Sequence, residues 1–416
     1  MNLRLLTASA VALLLAACGG QDEPVAETAQ VDAAEALHAL FDEHFERQLE
    51  MNPLQATFIG DYRFNDRLAN SYSPEYRAAE QAMDEEFLAR LLEIDRDQLG
   101  EQDQLSYDIF QLNREQSLEG NEFPFHLVPV NQFYLYTNFF AQLGSGSSAH
   151  PFKTVKDYED FLSRADQAAE IVDQIIANMK DGMREGVVQP RILMEKMIPQ
   201  VEAHVVDNVE DSLFYTPVRN MPEDFSEEDR ARLTAAYEDK IANVIVPAYA
   251  RLANFVGDEY LEASRETVGL YAQPNGESWY EYMVRIRTTT DMTPDEIHQV
   301  GLDEVARIHG EMHTVMEEVG FEGDLKDFFE FVNSDPQFFF DEPEQLIQGY
   351  RDMADHINTL AEDLFETFPK TDFEVRRVEP FREKSASGGS YMAGTPDGSR
   401  PGVFYANAYD LSARPN

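Results

Sequence analysis

The chain has 416 residues, 43% of them hydrophobic, with 28 Phe and 18 Tyr; that is ample material for a core and excludes a disordered acidic protein. Its 78 acidic residues against 33 basic ones give a formal net charge of −45, a surface that repels nucleic acid and anionic lipid headgroups and favours solubility. One cysteine excludes a disulfide within the chain.

The N-terminus reads as a leader. Arg4 supplies a positive charge, and Leu5 to Leu15 form an apolar stretch too short to span a bilayer. Leu15-Ala16-Ala17-Cys18 then matches the lipobox cut by lipoprotein signal peptidase. The cut leaves Cys18, the only cysteine, as a lipidated first residue, which an ordinary secretory signal does not explain. Gly19 is not the aspartate that retains lipoproteins at the inner membrane of enteric bacteria, so the expected address is the outer membrane, facing the periplasm. Residues 1–17 are read as a lipoprotein signal peptide and residues 18–31 as a flexible polar tether. The cut removes one charge, Arg4, and leaves the mature chain one unit more acidic.

Residues 32–416 read as mainly helical, long enough for two subdomains. Leu37, Leu40, Phe41, Phe45 and Leu49 make a stripe that Asn52-Pro53 ends, and Pro53 to Gly60 reads as a short second helix. A polar loop follows from Asp61 to Tyr72. Ser73 starts a long helix through Ile94, and Gln102 to Gln116 is another. Phe123 to Phe140, rich in aromatic and β-branched residues and broken by Pro124 and Pro129, is predicted irregular and buried. Gly144 to Ser148 is a loop. Thr154 opens a long helix through Met183; Pro190 opens the next, through Val206, and Ser226 caps one running to Phe255.

The stretch from Trp279 to Met312 is the most legible. Tyr280, Tyr282, Val284 and Ile286 alternate with Glu281, Met283, Arg285 and Arg287, a period of two that predicts an extended run with one buried face. Thr293, Pro294 and Glu296 form a capping box for a helix carrying Ile297, Val300, Val305, Ile308 and Met312 as one apolar stripe. Further helices are expected over Lys326 to Phe331 and Glu342 to Phe368. Phe373 to Val378, Gly388 to Gly394 and Gly402 to Asn407 read as strands, the last two joined by a turn, and the expectation is that no helix of this chain covers them.

No complete catalytic constellation is visible. The chain has nine histidines and no H-E-x-x-H. His309 and His313, four apart on a helix, invite a zinc, but Glu311 sits two residues after the first histidine, about 200° round the helix and on the wrong side for a general base. His298 and His309 share a face but lie ~16 Å apart. There is no G-x-S-x-G, P-loop or G-x-G-x-x-G, and Cys18 is committed to the anchor.

Several stretches together resemble the bacterial family catalogued as domain of unknown function 885. They are Pro53 to Gly60 with Asp61 to Asp66; Asp157-Tyr158 with Leu162 and Arg164; Gly182 to Gly186 with Pro190-Arg191; Tyr280 to Arg285 with Thr293 to Leu302; and Ser399 to Asn407. The resemblance covers everything after the tether. It implies an all-helical zinc-peptidase fold, similar to the angiotensin-converting-enzyme and oligopeptidase architectures, with a small sheet near the C-terminus. It also implies a zinc motif of the H-E-x-x-P-G-H-H kind some tens of residues after the R-P-G-x-F-Y-x-N strand. The chain ends at Asn416 before such a motif. The expectation is therefore an N-terminal part of a longer protein: no catalytic residue, metal ligand or cofactor in this chain, and zinc in the full-length protein.

The reading that follows is a periplasmic, lipid-anchored zinc peptidase acting on peptides or a related small amide, of which this chain alone is inactive. In such folds a strand beside the zinc helix binds substrate by main-chain pairing. Gly402 to Asn407 is the candidate, with Tyr391, Arg400 and Asn407 as side-chain contacts; their structural alternatives are packing for Tyr391 and turns for Arg400 and Asn407. The other reading is a non-catalytic periplasmic binding or scaffold lipoprotein.

Overall fold

The computed structural model describes residues 25–414 apart from residues 381 and 385. The signal peptide, Cys18 and the first part of the tether lie outside the described residues. In chain order come α1 (Val25–Met51), α2 (Pro53–Phe58), α3 (Pro74–Leu92), α4 (Glu101–Gly120), α5 (Tyr136–Leu143), α6 (Val155–Glu185) and α7 (Arg191–Glu202). A one-turn helix, α8 (Thr216–Arg219), leads into α9 (Glu227–Lys240), α10 (Val246–Phe255) and α11 (Leu261–Ala263), which run on from one another through two π-helical turns. Then follow α12 (Gly276–Thr288), α13 (Pro294–Glu318), α14 (Leu325–Val332), α15 (Pro343–Ala361) and the strands β1 (Phe373–Arg377), β2 (Gly389–Met392) and β3 (Gly402–Ala406). The protein is mainly helical with one small sheet.

Local sequence places most of the helix ends. Ser73, Thr154 and Thr293 each accept a backbone N–H three residues on, and Asp157 and Glu296 return the bond to complete capping boxes. Gly186 closes α6 in the left-handed conformation, φ 75°. One turn earlier, Gly182 lets the carbonyls of Val187 and Leu127 come so close that a Cβ would collide with both. Pro247, which cannot donate to the helix, sits at the start of α10 just after the first π-type turn.

Helix α6 is the spine. Tyr158, Phe161, Ala165, Val172, Ile175 and Met179 form its buried face, packed against α5, α9 and α10. Each large side chain contributes about 1.5–3 kcal/mol by leaving water. Three buried phenols of this core are paired: Tyr158 donates to Pro217 O (2.9 Å), Tyr237 to Tyr158 O (3.1 Å) and Tyr249 to Thr137 O (2.6 Å).

The sheet has strand order β1-β3-β2, with β1 parallel and β2 antiparallel to β3. One face, with Val375, Phe404 and Ala406, packs against Ile347 and Tyr350 of α15. The expectation that no helix covers these strands is thus corrected: α15 precedes them in sequence and folds back over them.

Four further readings are revised. Helix α1 begins at Val25, inside the stretch read as tether. The predicted extended run after Trp279 is helix α12; Trp279, Tyr282, Met283 and Ile286 fit helical spacing as well as alternation, and Trp279 and Tyr282 are the pair it buries. Between Phe123 and Phe140 the chain is irregular up to α5, but Phe133 and Tyr134 are exposed. The stripe on α13 forms, yet among its residues only Met316 is buried; Val300, Val305 and Ile308 face outward.

Candidate functional site

A cleft of about 550 Å³ lies between the helical body and the sheet. One wall is aromatic: Tyr72, Tyr76, Phe133, Tyr134, Tyr136 and Phe139. Amide side chains, Asn52, Gln132, Asn138, Gln142 and Gln200, are spread among them. The sheet side supplies Arg382, Ser387 and Ser390. A second cavity of about 260 Å³ shares Asn138, Gln200 and Arg382 with the first and adds His204, Thr216 and Arg219.

The aromatic rim is held out by a local turn. The Asn131 carboxamide oxygen accepts from the backbone N–H groups of Phe133 (2.9 Å) and Tyr134 (3.0 Å), and Asn131 N–H donates to Tyr134 O (3.2 Å). This asparagine turn leaves Phe133 72% and Tyr134 77% exposed. Behind them, Asn138 Nδ2 donates to Gln200 Oε1 at 2.6 Å. Gln132 Oε1 is buried without a hydrogen-bond partner among the described residues.

Electrostatically the cleft is almost neutral. Among the described residues Arg382 is its one charged lining residue; its Nε donates to Glu379 at 2.6 Å and its guanidinium lies over the Tyr405 ring. Burial pushes the Tyr76 phenol up to about 12, helped by Glu80, and raises those of Tyr72 and Tyr136. Burial lowers His204 in the second cavity to about 4, so it is uncharged at neutral pH.

Strand β2 is hydrogen-bonded on one side only among the described residues. Asn407 N–H donates to Gly388 O at 2.9 Å, which fixes the alternation along the pair. Ser390 and Met392 therefore turn their backbone groups toward β3, and Gly389 and Tyr391 turn theirs to the open edge. Gly389 O is taken by the Ser387 hydroxyl (2.8 Å), leaving the Gly389 N–H and the N–H and C=O of Tyr391 on that edge.

The residues singled out in the sequence fall elsewhere. Strand β3 is central and paired on both sides, so it offers no backbone to a ligand. Tyr391 is 60% exposed, and its side chain lies on the sheet face away from Ser390, with its hydroxyl over Gly402 and its ring edge-on to Phe373. Arg400 is a strut: its guanidinium donates to Phe58 O (2.5 Å) in the helical body and to Ala393 O (3.1 Å). Asn407 is buried and saturated, donating to Glu383 O (2.7 Å) and Ala386 O (3.1 Å) and accepting from Tyr409 N–H (3.0 Å). None of the three side chains lines the cleft. The cleft residues were missed because aromatic density in Phe123 to Phe140 reads as core; the signal present was Asn131 two and three residues before two rings.

The zinc implied by the family resemblance does not fit the residues present. Among the described residues no three His, Cys, Asp or Glu side chains are grouped to hold a metal ion. His298, His309 and His313 stand on exposed turns of α13.

The family described as "Bacterial protein of unknown function (DUF885)" matches residues 53–416. The chain is also similar to the crystal structure of a Colwellia psychrerythraea protein described as a lipoprotein, with a TM-score of 0.81 and 21% identity over 92% of this chain and 69% of that one. At that identity the likeness shows the fold. No curated protein matches the sequence.

Proposed function

The chain belongs to the bacterial family of unknown function DUF885, and on that premise we propose that it is the peptide-binding part of a lipid-anchored envelope protein. The observation that carries this reading is the open edge of β2 beside an amide-lined cleft. An extended peptide added at Tyr391 gains main-chain hydrogen bonds, and the carboxamides of the opposite wall can donate to or accept from its other amides. Bond breaking is not assigned to residues of this chain: among the described residues no group of His, Cys, Asp or Glu side chains is placed to hold a metal ion.

The envelope address rests on Cys18 and the apolar leader before it, and the similar Colwellia protein is itself described as a lipoprotein. No helix among the described residues is long and apolar enough to cross a membrane. Anchoring through Cys18 with the globule on the periplasmic side of the outer membrane completes the proposal.

Calorimetric titration with an uncharged, end-capped pentapeptide tests the binding. Saturable binding is expected, weakened at least tenfold when the peptide amides are N-methylated. Equal binding of the methylated peptide would show that main-chain pairing plays no part.

A further inference from the structure

Resting on the peptide-binding reading, we infer that the cleft selects uncharged segments carrying an aromatic side chain, with Phe133 and Tyr134 as the specificity-determining residues. Charged residues make up 27% of this chain. Among the described residues the cleft wall nonetheless holds one, Arg382, already engaged by Glu379. A ligand carboxylate or ammonium drawn into this wall finds no free counter-charge, and burying an unpaired charge is costly. Outside the cleft the strongly acidic surface repels an anionic peptide further.

The positive selection comes from the rim. Phe133 and Tyr134 are held outward by the Asn131 turn rather than packed inward, and they stand beside Tyr72, Tyr76 and Phe139. Rings stack or meet edge to face with a ligand ring at little loss of side-chain freedom. Gln132 Oε1, buried and unpartnered, adds an acceptor for one ligand N–H. Aromatic walls with carboxamides also suit a neutral sugar, but the open strand edge beside them serves only a main chain, and that favours the peptide.

The test uses the chain with three end-capped pentapeptides that differ at the central residue, Phe, Glu or Lys, in a Gly/Ala background, and a neutral N-acetylglucosamine oligomer. The Phe peptide should bind at least tenfold more tightly than both charged ones, and the preference should vanish in a Phe133→Ala/Tyr134→Ala variant whose melting temperature is unchanged. If all three peptides bind alike, the selectivity is overturned and the peptide reading stands. If the double variant keeps the preference, the assignment to Phe133 and Tyr134 is overturned. If no peptide binds, whether or not the oligosaccharide does, both fall.

Discussion

The guanidinium of Arg164 donates to Nδ1 of His150 at 3.0 Å, and both side chains are buried. Arg164 also donates to Arg67 O (3.0 Å), the Thr57 hydroxyl (2.6 Å) and Phe64 O (3.3 Å), so one side chain of α6 ties down the loop after α2. Among the described residues no carboxylate forms an ion pair with it, and burial lowers its pKa to about 10. Removing it strands several buried acceptors, each costing about 1–3 kcal/mol. Arg164→Ala should therefore lose at least ~3 kcal/mol in denaturant unfolding, with Arg164→Lys recovering little because an ammonium lacks the fork. A loss under ~1 kcal/mol for Arg164→Ala would contradict this role.

The same contact predicts a pH dependence. Nδ1 of His150 accepts from Arg164 while Nε2 donates to Asp157 O (2.9 Å), so the ring is neutral as folded. Burial, then Arg164, lowers it to about 4, and burial lowers His204 to about 4. Between about 6.5 and 4 the unfolded chain carries protons on these rings that the folded chain refuses. Their contribution is full above the unfolded value and is lost as pH falls through that window, at up to ~1.4 kcal/mol per pH unit for each histidine. Unfolding midpoints across pH 4–7 should show a shallower slope for His150→Gln than for the unsubstituted chain; identical slopes would remove His150 from the account.

The cover over the sheet separates two apolar helices. Ile347 of α15 is buried against Val375 and Ala406, whereas Val305 of α13 is exposed. Ile347→Asp should make residues 373–414 the first site of limited proteolysis, and Val305→Asp should change the melting temperature little, as surface substitutions usually stay within ~0.5 kcal/mol. Equal sensitivity of both variants would mean that α13 is packed as tightly as α15.

Cys18 is expected to carry lipid. Labelled palmitate should mark the chain expressed with its leader, and Cys18→Ser should abolish the label and release the protein from the membrane fraction. A variant retained to the same extent would refute anchoring through this thiol.

Helix starts were legible because a capping residue is a local signal: Ser73, Thr154 and Thr293 needed no partner elsewhere in the chain. The family stretches prove to be contact points, as where Arg164 meets Thr57 and Phe64 and where Gly182 admits Val187 O. The alternation after Trp279 misled because aromatic residues fit both periods, and only packing against Leu127 and Val187 decides for a helix. The cleft was illegible because its walls come from residues more than three hundred positions apart, Asn52 and Ser390 among them. Conversely, Arg400 and Asn407 are polar residues in a family motif whose hydrogen bonds are spent on the backbone of the fold itself.

The central claim is that a peptide pairs with the open edge of β2, and amide hydrogen exchange at Tyr391 tests it most directly. The Tyr391 N–H points away from β3, while that of Ser390 is already turned toward β3. With a saturating uncharged pentapeptide, exchange at Tyr391 should slow at least tenfold while exchange at Ser390 stays unchanged. Saturated binding with no change at Tyr391 would place the ligand elsewhere and contradict the account.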